Sequence, residues 1–547
     1  MSIKPTVATT KPRILFTSVF GPYGKDDDYG SRAINPMELY HNQVTRLQGP
    51  FSLRMFHRSW GLMLMQANIS APSALLDFPT LDRFIEELRT QHFDIVAISA
   101  IPPNFKKAEV MCKLIRQYLP EAKIVVGGHI AGMPKLKERL KADYVVRGEG
   151  VSWFRNYLGE DVNQPIKHPR IMSGIGARTM GMDLSEKPGE VAATLIPSVG
   201  CPMGCNFCAT SAMFGGKGKF INFYDTGDEL YEVMVGLEKD LKVRSFFVMD
   251  ENFLLHKKRA LRLLELMKAN NKSWSLYVFS SANVLQSYTM EQIVELGVSW
   301  VWMGLEGKDS SYSKLAHSDT LELVSTLQSH GIRVLGSTII GLEEHTPENL
   351  DAAIDYAVKH NTEFHQFMLY TPVAGTPLFK EHLDNGTLVD PECLDTADTH
   401  GQLRFGHKHA HIPAGLETEF LHKAFARDFE VNGPSVVRMA RTTLQGWLRY
   451  RKHPDKRVRA RFAAEARELA VNYAGALWAS KRWFKSQPEL KAEISRVLGS
   501  IYKCYGLRSR LMAPLAGRFI YRKLLKEQKL LKEGMTYEPP TFYEVVG

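Results

Sequence analysis

The chain has 547 residues, 44% of them hydrophobic, which at roughly 150 residues per domain is enough for three or four domains with real cores and excludes a disordered protein. Its net charge of +10 is uneven, because residues 401–547 hold 28 Lys and Arg against 13 Asp and Glu while the part before them is net acidic. Three of the six cysteines fall within eight positions and Cys112, Cys393 and Cys504 are scattered, a distribution that excludes a secreted disulfide framework and points to metal ligands in a reducing compartment.

Residues 1–160 alternate short β-branched runs with amphipathic stretches. Strands are predicted at Arg13–Thr17, Asp94–Ser99, Lys123–Gly127 and Tyr144–Arg147, and helices at Thr80–Arg89, Ala108–Tyr118 and Lys135–Leu140. This βαβαβ order predicts a doubly wound, Rossmann-like parallel sheet. Gly127 and Gly128 stand at a strand end, where a backbone without side chains lets a ligand approach; a tight turn would demand the same residues. His129, next in line, orders that turn. Residues 161–189 read as a linker.

From residue 190 to 400 a second series begins, with strands predicted at Ala193–Pro197, Ser245–Met249, Ser275–Phe279, Trp300–Leu305, Val334–Ile340 and Glu363–Thr371. Six strand–helix units predict a partial (β/α)6 barrel. Thr289-Met-Glu-Gln292 reads as a capping box, and Thr346-Pro347 as an N-cap followed by proline at the first helical position. Residues 401–547 read as a basic helical region, without strand candidates until the last few residues.

Cys201, Cys205 and Cys208 follow directly on the first barrel strand, spaced C-x3-C-x2-C. Three thiolates on one loop reach three corners of a [4Fe–4S] cubane and leave one iron open. Zinc is the rival, but a structural zinc site is closed by four ligands and no fourth Cys or His lies nearby at such spacing. Carboxylates at strand ends of the barrel, Asp250 and Glu306, either meet a cofactor or form an internal salt bridge.

With Phe207 between the second and third cysteines, the C-x3-C-x-aromatic-C loop resembles the signature of the radical S-adenosylmethionine (radical SAM) superfamily, over roughly residues 190–377. The resemblance implies that the open iron chelates S-adenosylmethionine and that reductive cleavage yields a 5′-deoxyadenosyl radical. It implies cofactor-binding roles for Asp250 and Asn252 after the second strand, Glu306 after the fourth and Gly341 after the fifth, and a reductant protein such as flavodoxin or ferredoxin. The domain ahead of the barrel is similar to that of the cobalamin-binding members. The similarity implies cobalamin near Gly127 and Gly128 and methyl transfer, with one departure: no Asp-x-His-x-x-Gly motif follows the first strand, which continues Thr17-Ser-Val-Phe-Gly-Pro-Tyr23. A corrinoid here would have no protein histidine on cobalt.

The substrate is read from the basic end of the chain. Arg449–Arg461, Leu511–Leu525 and the aromatics Trp447, Trp478, Trp483 and Phe484 fit an amphipathic surface at a bilayer, hence a hydrophobic, lipid-like substrate modified at an unactivated carbon. Stripes at such spacing also build ordinary cores. The alternatives are cobalamin-independent carbon–carbon bond formation or cyclisation, RNA modification and a non-catalytic corrinoid sensor. Against RNA as the partner, the second cysteine triad of tRNA-methylthiolating relatives is missing. His407, His409 and His411 form a metal-like cluster or a polar linker. Without a signal-like apolar segment in Met1–Pro12 or a membrane-length apolar run, the expected location is the cytoplasm, peripheral to the inner face of the membrane.

Overall fold

The computed structural model describes residues 11–23, 27–29, 44–306, 319–390 and 395–547; most of the N-terminal segment Met1–Pro12 and Cys393 lie outside the described residues. Five parallel strands, Ile14–Ser18, Ser73–Asp77, Ile95–Ser99, Lys123–Gly127 and Tyr144–Val145, form the first sheet. Ile14–Ser18 lies between Ser73–Asp77 and Ile95–Ser99, so the winding reverses there, and the crevice at the strand ends beside it is where open α/β sheets take ligands. The first two strands are buried at every position, as expected of parallel strands covered on both faces. Thr80 caps the helix Leu81–Thr90 by accepting from Arg83 N at 3.1 Å, and Phe84 and Leu88 bury its apolar face.

The sequence pattern overlooks Ser73–Asp77 and the helix Trp60–Ala67. Both are short and flanked by irregular chain, and a five-residue buried strand shows no alternation to mark it. Nor is 161–189 a bare linker. Ile175–Thr179 pairs antiparallel with Arg54–Phe56 and with Met182–Asp183, forming a small three-stranded sheet.

Six parallel strands then build the partial barrel in the order Ala193–Leu195, Ser245–Val248, Ser275–Phe279, Val298–Gly304, Arg333–Ile340, Phe364–Leu369. Alternate side chains point in opposite directions. Leu276, Val278, Val301 and Met303 pack outward with Leu230, Met234 and Leu263, and Tyr277, Phe279, Trp300 and Trp302 turn the other way, into the lumen. The capping box at Thr289 and Gln292 is present. Thr346-Pro347, in contrast, stands in the turn ahead of the helix, which starts at Leu350 with Asn349 at its N-cap; Asn349 N and Leu350 N both donate to Thr346 O, which joins that turn to the helix.

Helices Leu416–Asn432, Ser435–Tyr450, Lys456–Glu465, Ala474–Trp483 and Pro488–Lys532 make up the C-terminal region, the last broken at Gly506. The region is not wholly helical. Phe542–Val546 pairs antiparallel with Ser73–Asp77 and covers the open edge of the first sheet. The basic run 449–461 is also only partly surface: Arg457 and Arg461 are buried, Arg461 donates to Val298 O at 3.1 Å, and Glu465 bridges Arg333 and Ser275 at the N-terminal end of the barrel. Phe484 is buried, and both it and Trp483 pack on Phe51, so these aromatics are core. No helix among the described residues is long and apolar enough to cross a membrane.

Candidate functional site

A cavity of about 550 Å³ opens between the two α/β domains, at the carboxyl ends of both sets of strands. Ser18, Ser99, Gly127, Gly128 and His129 line it from the first domain, and Val199, Thr210, Met249, Glu251 and Trp302 from the barrel. Gly128 has φ +84°, and a Cβ there would stand 2.5 Å from Ala100 O, so this turn accepts only glycine and leaves bare backbone facing the cavity. His129 approaches Thr210 Oγ1 at 3.4 Å, and Arg147 donates to Gly375 O at 2.9 Å, which ties the two domains on either side of the opening.

The three cysteines occupy a loop closed at its base by a two-stranded hairpin, Ser198–Val199 with Ile221–Asn222. Gly200 and Gly204 have positive φ, and a Cβ on Gly204 would lie 2.5 Å from Lys217 Cβ, so the loop wraps too tightly for side chains there. Cys208 caps the helix Ala209–Met213, its sulfur accepting from Ser211 N, and Ser211 Oγ donates to Cys201 O at 2.8 Å. None of the three cysteines is in a disulfide and all are half-buried; burial pushes the Cys201 thiol up to about 11, which metal ligation would offset by holding it as thiolate. Among the described residues, no group of three or more His, Cys, Asp or Glu is gathered as a single ion would need. Three ligands to three separate irons of a cubane need no common point, so the donor set suits a cluster.

Below the loop sits a buried ionic anchor. Asp250 accepts from Arg259 Nη2 at 2.6 Å, from Ser198 Oγ at 2.6 Å and from Asn252 N at 3.1 Å, while Arg259 Nη1 reaches Asn222 Oδ1 at 3.3 Å and Tyr224 O at 3.1 Å. Carboxylate and guanidinium therefore each hold one strand of the hairpin that carries the cysteines. Asn252 is tied to the third strand's end, donating to Ser281 Oγ at 3.2 Å and accepting from Ser280 Oγ at 3.2 Å. Glu306 is buried just past the fourth strand with φ +24°. Gly341 serves packing: a Cβ there would lie 2.3 Å from Phe405 Cζ, and its N–H donates to His345 Nδ1.

Glu251 is a cavity residue that the strand-end motif did not single out. Burial, and after it the neighbouring Asp250, pushes its carboxyl up to about 8; it accepts from the Gly200 backbone, while its buried Oε2 has no hydrogen-bond partner among the described residues. A carboxyl kept neutral near pH 7 is a hydrogen-bond donor, available to a group placed beside the cysteine loop.

The lumen forms an aromatic slot. His57 stacks on Phe247 at 5.1 Å, Phe279 on Trp302 at 4.9 Å, Tyr277 on Trp300 at 5.6 Å and Trp300 on Phe364 at 5.1 Å. Burial lowers the His57 imidazole to about 4, so the ring is neutral there. His168 falls to about 4 and His365 to about 3 for the same reason. A histidine held neutral when folded but titrating near 6.5 when unfolded costs nothing above pH 6.5; as pH falls towards 4 the unfolded state takes up the extra protons. Each such group then removes up to about 1.4 kcal/mol of stability per pH unit. Urea midpoints should therefore begin to fall near pH 6.5 and keep falling to pH 4.5. Substituting His57 by phenylalanine should lessen the slope.

His407 and His409 pack with Phe405 around a second cavity, the rings of His382 and His407 4.3 Å apart, while His411 stands beside His409.

Residues 63–158 match the B12 binding domain family, and residues 195–357 the radical SAM superfamily. An uncharacterised methyltransferase of Pyrococcus horikoshii is 25% identical over 328 residues, 54% of this chain and 71% of the relative. The bacteriochlorophyllide d C-12(1)-methyltransferase of Chlorobaculum tepidum is 29% identical over 321 residues, 56% and 69% of the two chains. In fold the chain is similar to the radical S-adenosylmethionine methyltransferase TsrM of Kitasatospora setae, solved with cobalamin and a [4Fe–4S] cluster bound. The TM-score is 0.52 at 15% identity, over 84% of this chain and 99% of that one.

Proposed function

We propose, for a chain that belongs to the radical SAM superfamily and carries a B12 binding domain ahead of its barrel, that it methylates an unactivated carbon of a hydrophobic substrate held between the two domains. One observation carries the reading: the cavity joins the glycine turn of the first sheet, the cysteine loop and the aromatic lumen. Among its relatives, a methyltransferase of a bacteriochlorophyllide supports a large apolar acceptor.

Cys201, Cys205 and Cys208 would hold the cluster, and Gly127 and Gly128 would admit the corrinoid edge. When bound, the cluster supplies the electron that cleaves S-adenosylmethionine, and the corrinoid supplies a carrier for the methyl group. The remaining work falls to the chain. Asp250 and Arg259 keep the cysteine loop in place through Ser198 and Asn222. Asn252 and Glu306, at strand ends beside it, present amide and carboxylate groups for the polar parts of S-adenosylmethionine. Phe247, Phe279 and Trp302 keep water from the reacting carbon and position an apolar substrate by contact area.

Substitution of Trp302 by alanine should raise KM for the acceptor about tenfold and leave cleavage of S-adenosylmethionine without acceptor unchanged, since only ground-state contacts are lost. To test the function itself, anaerobically reconstituted protein is given S-adenosylmethionine labelled in its methyl group together with lipid extract of cells lacking the protein. A labelled methyl on an apolar product is expected. Label appearing only in water-soluble products or in RNA would refute the hydrophobic acceptor.

A further inference from the structure

Beyond Gly506, where φ +60° breaks the long helix, the stretch 507–526 runs about 30 Å along the surface. Its inner side, Ser509, Ala513, Gly517, Ile520 and Leu524, is buried against the C-terminal core. Close approach fixes that contact, since a Cβ on Gly517 would lie 2.5 Å from the Trp478 ring. The opposite side is apolar too, and it faces out. Leu507 is 71% exposed, Leu511 58%, Leu515 59% and Phe519 56%. Spaced four residues apart, with Met512 beside them, they share about 140° of the helix surface.

Charge on that face has one sign. Arg508, Arg518, Arg522 and Lys526 project among the leucines, Arg510 and Lys523 flank them, and residues 507–526 contain no Asp or Glu. The first acid beyond them, Glu527, is buried and paired with Arg178 at 2.9 Å. Among the described residues, none of these six basic side chains forms an ion pair. Large exposed apolar groups at helical spacing are rare on a free surface, and cations interleaved with them deter two ordinary occupants. A second copy of the chain would set like charge against like. A nucleic-acid backbone would pair with the arginines but leave the leucines wet. An interface with acidic headgroups above and acyl chains below satisfies both halves of the pattern.

We propose that residues 507–526 dock the protein in plane on an anionic lipid bilayer, with Leu507, Leu511, Leu515 and Phe519 entering the acyl boundary and Arg508, Arg518, Arg522 and Lys526 meeting phosphate headgroups. The long tails of the basic side chains let their charges reach the headgroups while their stems lie beside the leucines. The docking does not depend on the reaction proposed above.

The test is flotation of full-length protein with vesicles of phosphatidylcholine alone or with about one-third phosphatidylglycerol, at low and physiological salt. Wild type should float with the anionic vesicles, less well as salt rises. The exposed double variants Leu511→Glu/Phe519→Glu and Arg518→Glu/Arg522→Glu should each partition about tenfold or more less, with unchanged thermal midpoints. Failure of wild type to float at either salt overturns the proposal. So does flotation of either variant equal to that of wild type. Loss in these variants of single-stranded RNA binding, or of a dimer seen by sedimentation, without vesicle binding by wild type would assign the face to those partners instead.

Discussion

Replacement of Cys205 by alanine is expected to abolish cluster assembly and with it all release of 5′-deoxyadenosine, the largest effect any single substitution should have. Two thiolates cannot hold a cubane whose third protein-bound iron has lost its ligand, and no other Cys or His stands ready in the loop. The fold itself should survive, because Cys205 is half-buried on a surface loop and contributes to none of the hydrophobic cores. Cys112 is the matching control. It lies in the core of the first domain, where burial pushes its thiol up to about 12, so Cys112→Ala should cost some stability and keep the iron. Iron content and the visible spectrum after anaerobic reconstitution distinguish the two.

The second large effect is expected at Arg259. Its replacement by methionine leaves Asp250 buried with its charge unanswered, a change that costs about 3–5 kcal/mol in folded proteins. The consequence should go beyond stability. Because Asp250 holds Ser198 and Arg259 holds Asn222, the hairpin under the cysteine loop loses both anchors together, and iron should be lost faster from Arg259→Met than from wild type at a temperature where both are folded. Adding Asp250→Asn to Arg259→Met removes the stranded charge, so it should restore much of the urea midpoint while iron retention stays poor. Recovery of both would mean that the pair matters only as buried charge. Recovery of neither would locate the damage in packing around Arg259.

What the sequence conveys and what it hides follow from the same physics. The barrel was legible because six β-branched or aromatic runs alternate with helix starts, and each strand fell within a few residues of its expected place. The cysteine loop was legible because ligand spacing is local in the chain. Asp250 was marked as a strand-end carboxylate, yet its partners come from residues 198 and 259, a pairing that only the fold brings together. Likewise Gly341 resembles a cofactor-contacting glycine, whereas its missing side chain makes room for Phe405, sixty-four positions on. The aromatic slot is written as Tyr277-Val-Phe279 and Trp300-Val-Trp302, a period of two, but a strand pattern alone does not say which face is lumen and which meets helices. At the C-terminus, charge and aromatic content suggested one amphipathic surface. The fold divides it, with Arg457, Arg461 and Phe484 turned inward and residues 507–526 left facing out. Phe542–Val546 is the longest-range surprise, since its partner strand lies more than 460 residues away.

The most direct test of the central claim, that the crevice between the domains takes a corrinoid next to the cysteine loop, is corrinoid and iron stoichiometry in wild type and Gly128→Val. A side chain at residue 128 collides with Ala100 and projects where bare backbone now faces the cavity, some 70 residues in sequence from Cys201, the first cysteine of the loop. Wild type grown with cobalamin should hold one corrinoid and one four-iron cluster per chain, and the variant should keep the iron and lose the corrinoid. Wild type with iron but no corrinoid, or a variant that binds both as before, would contradict the account.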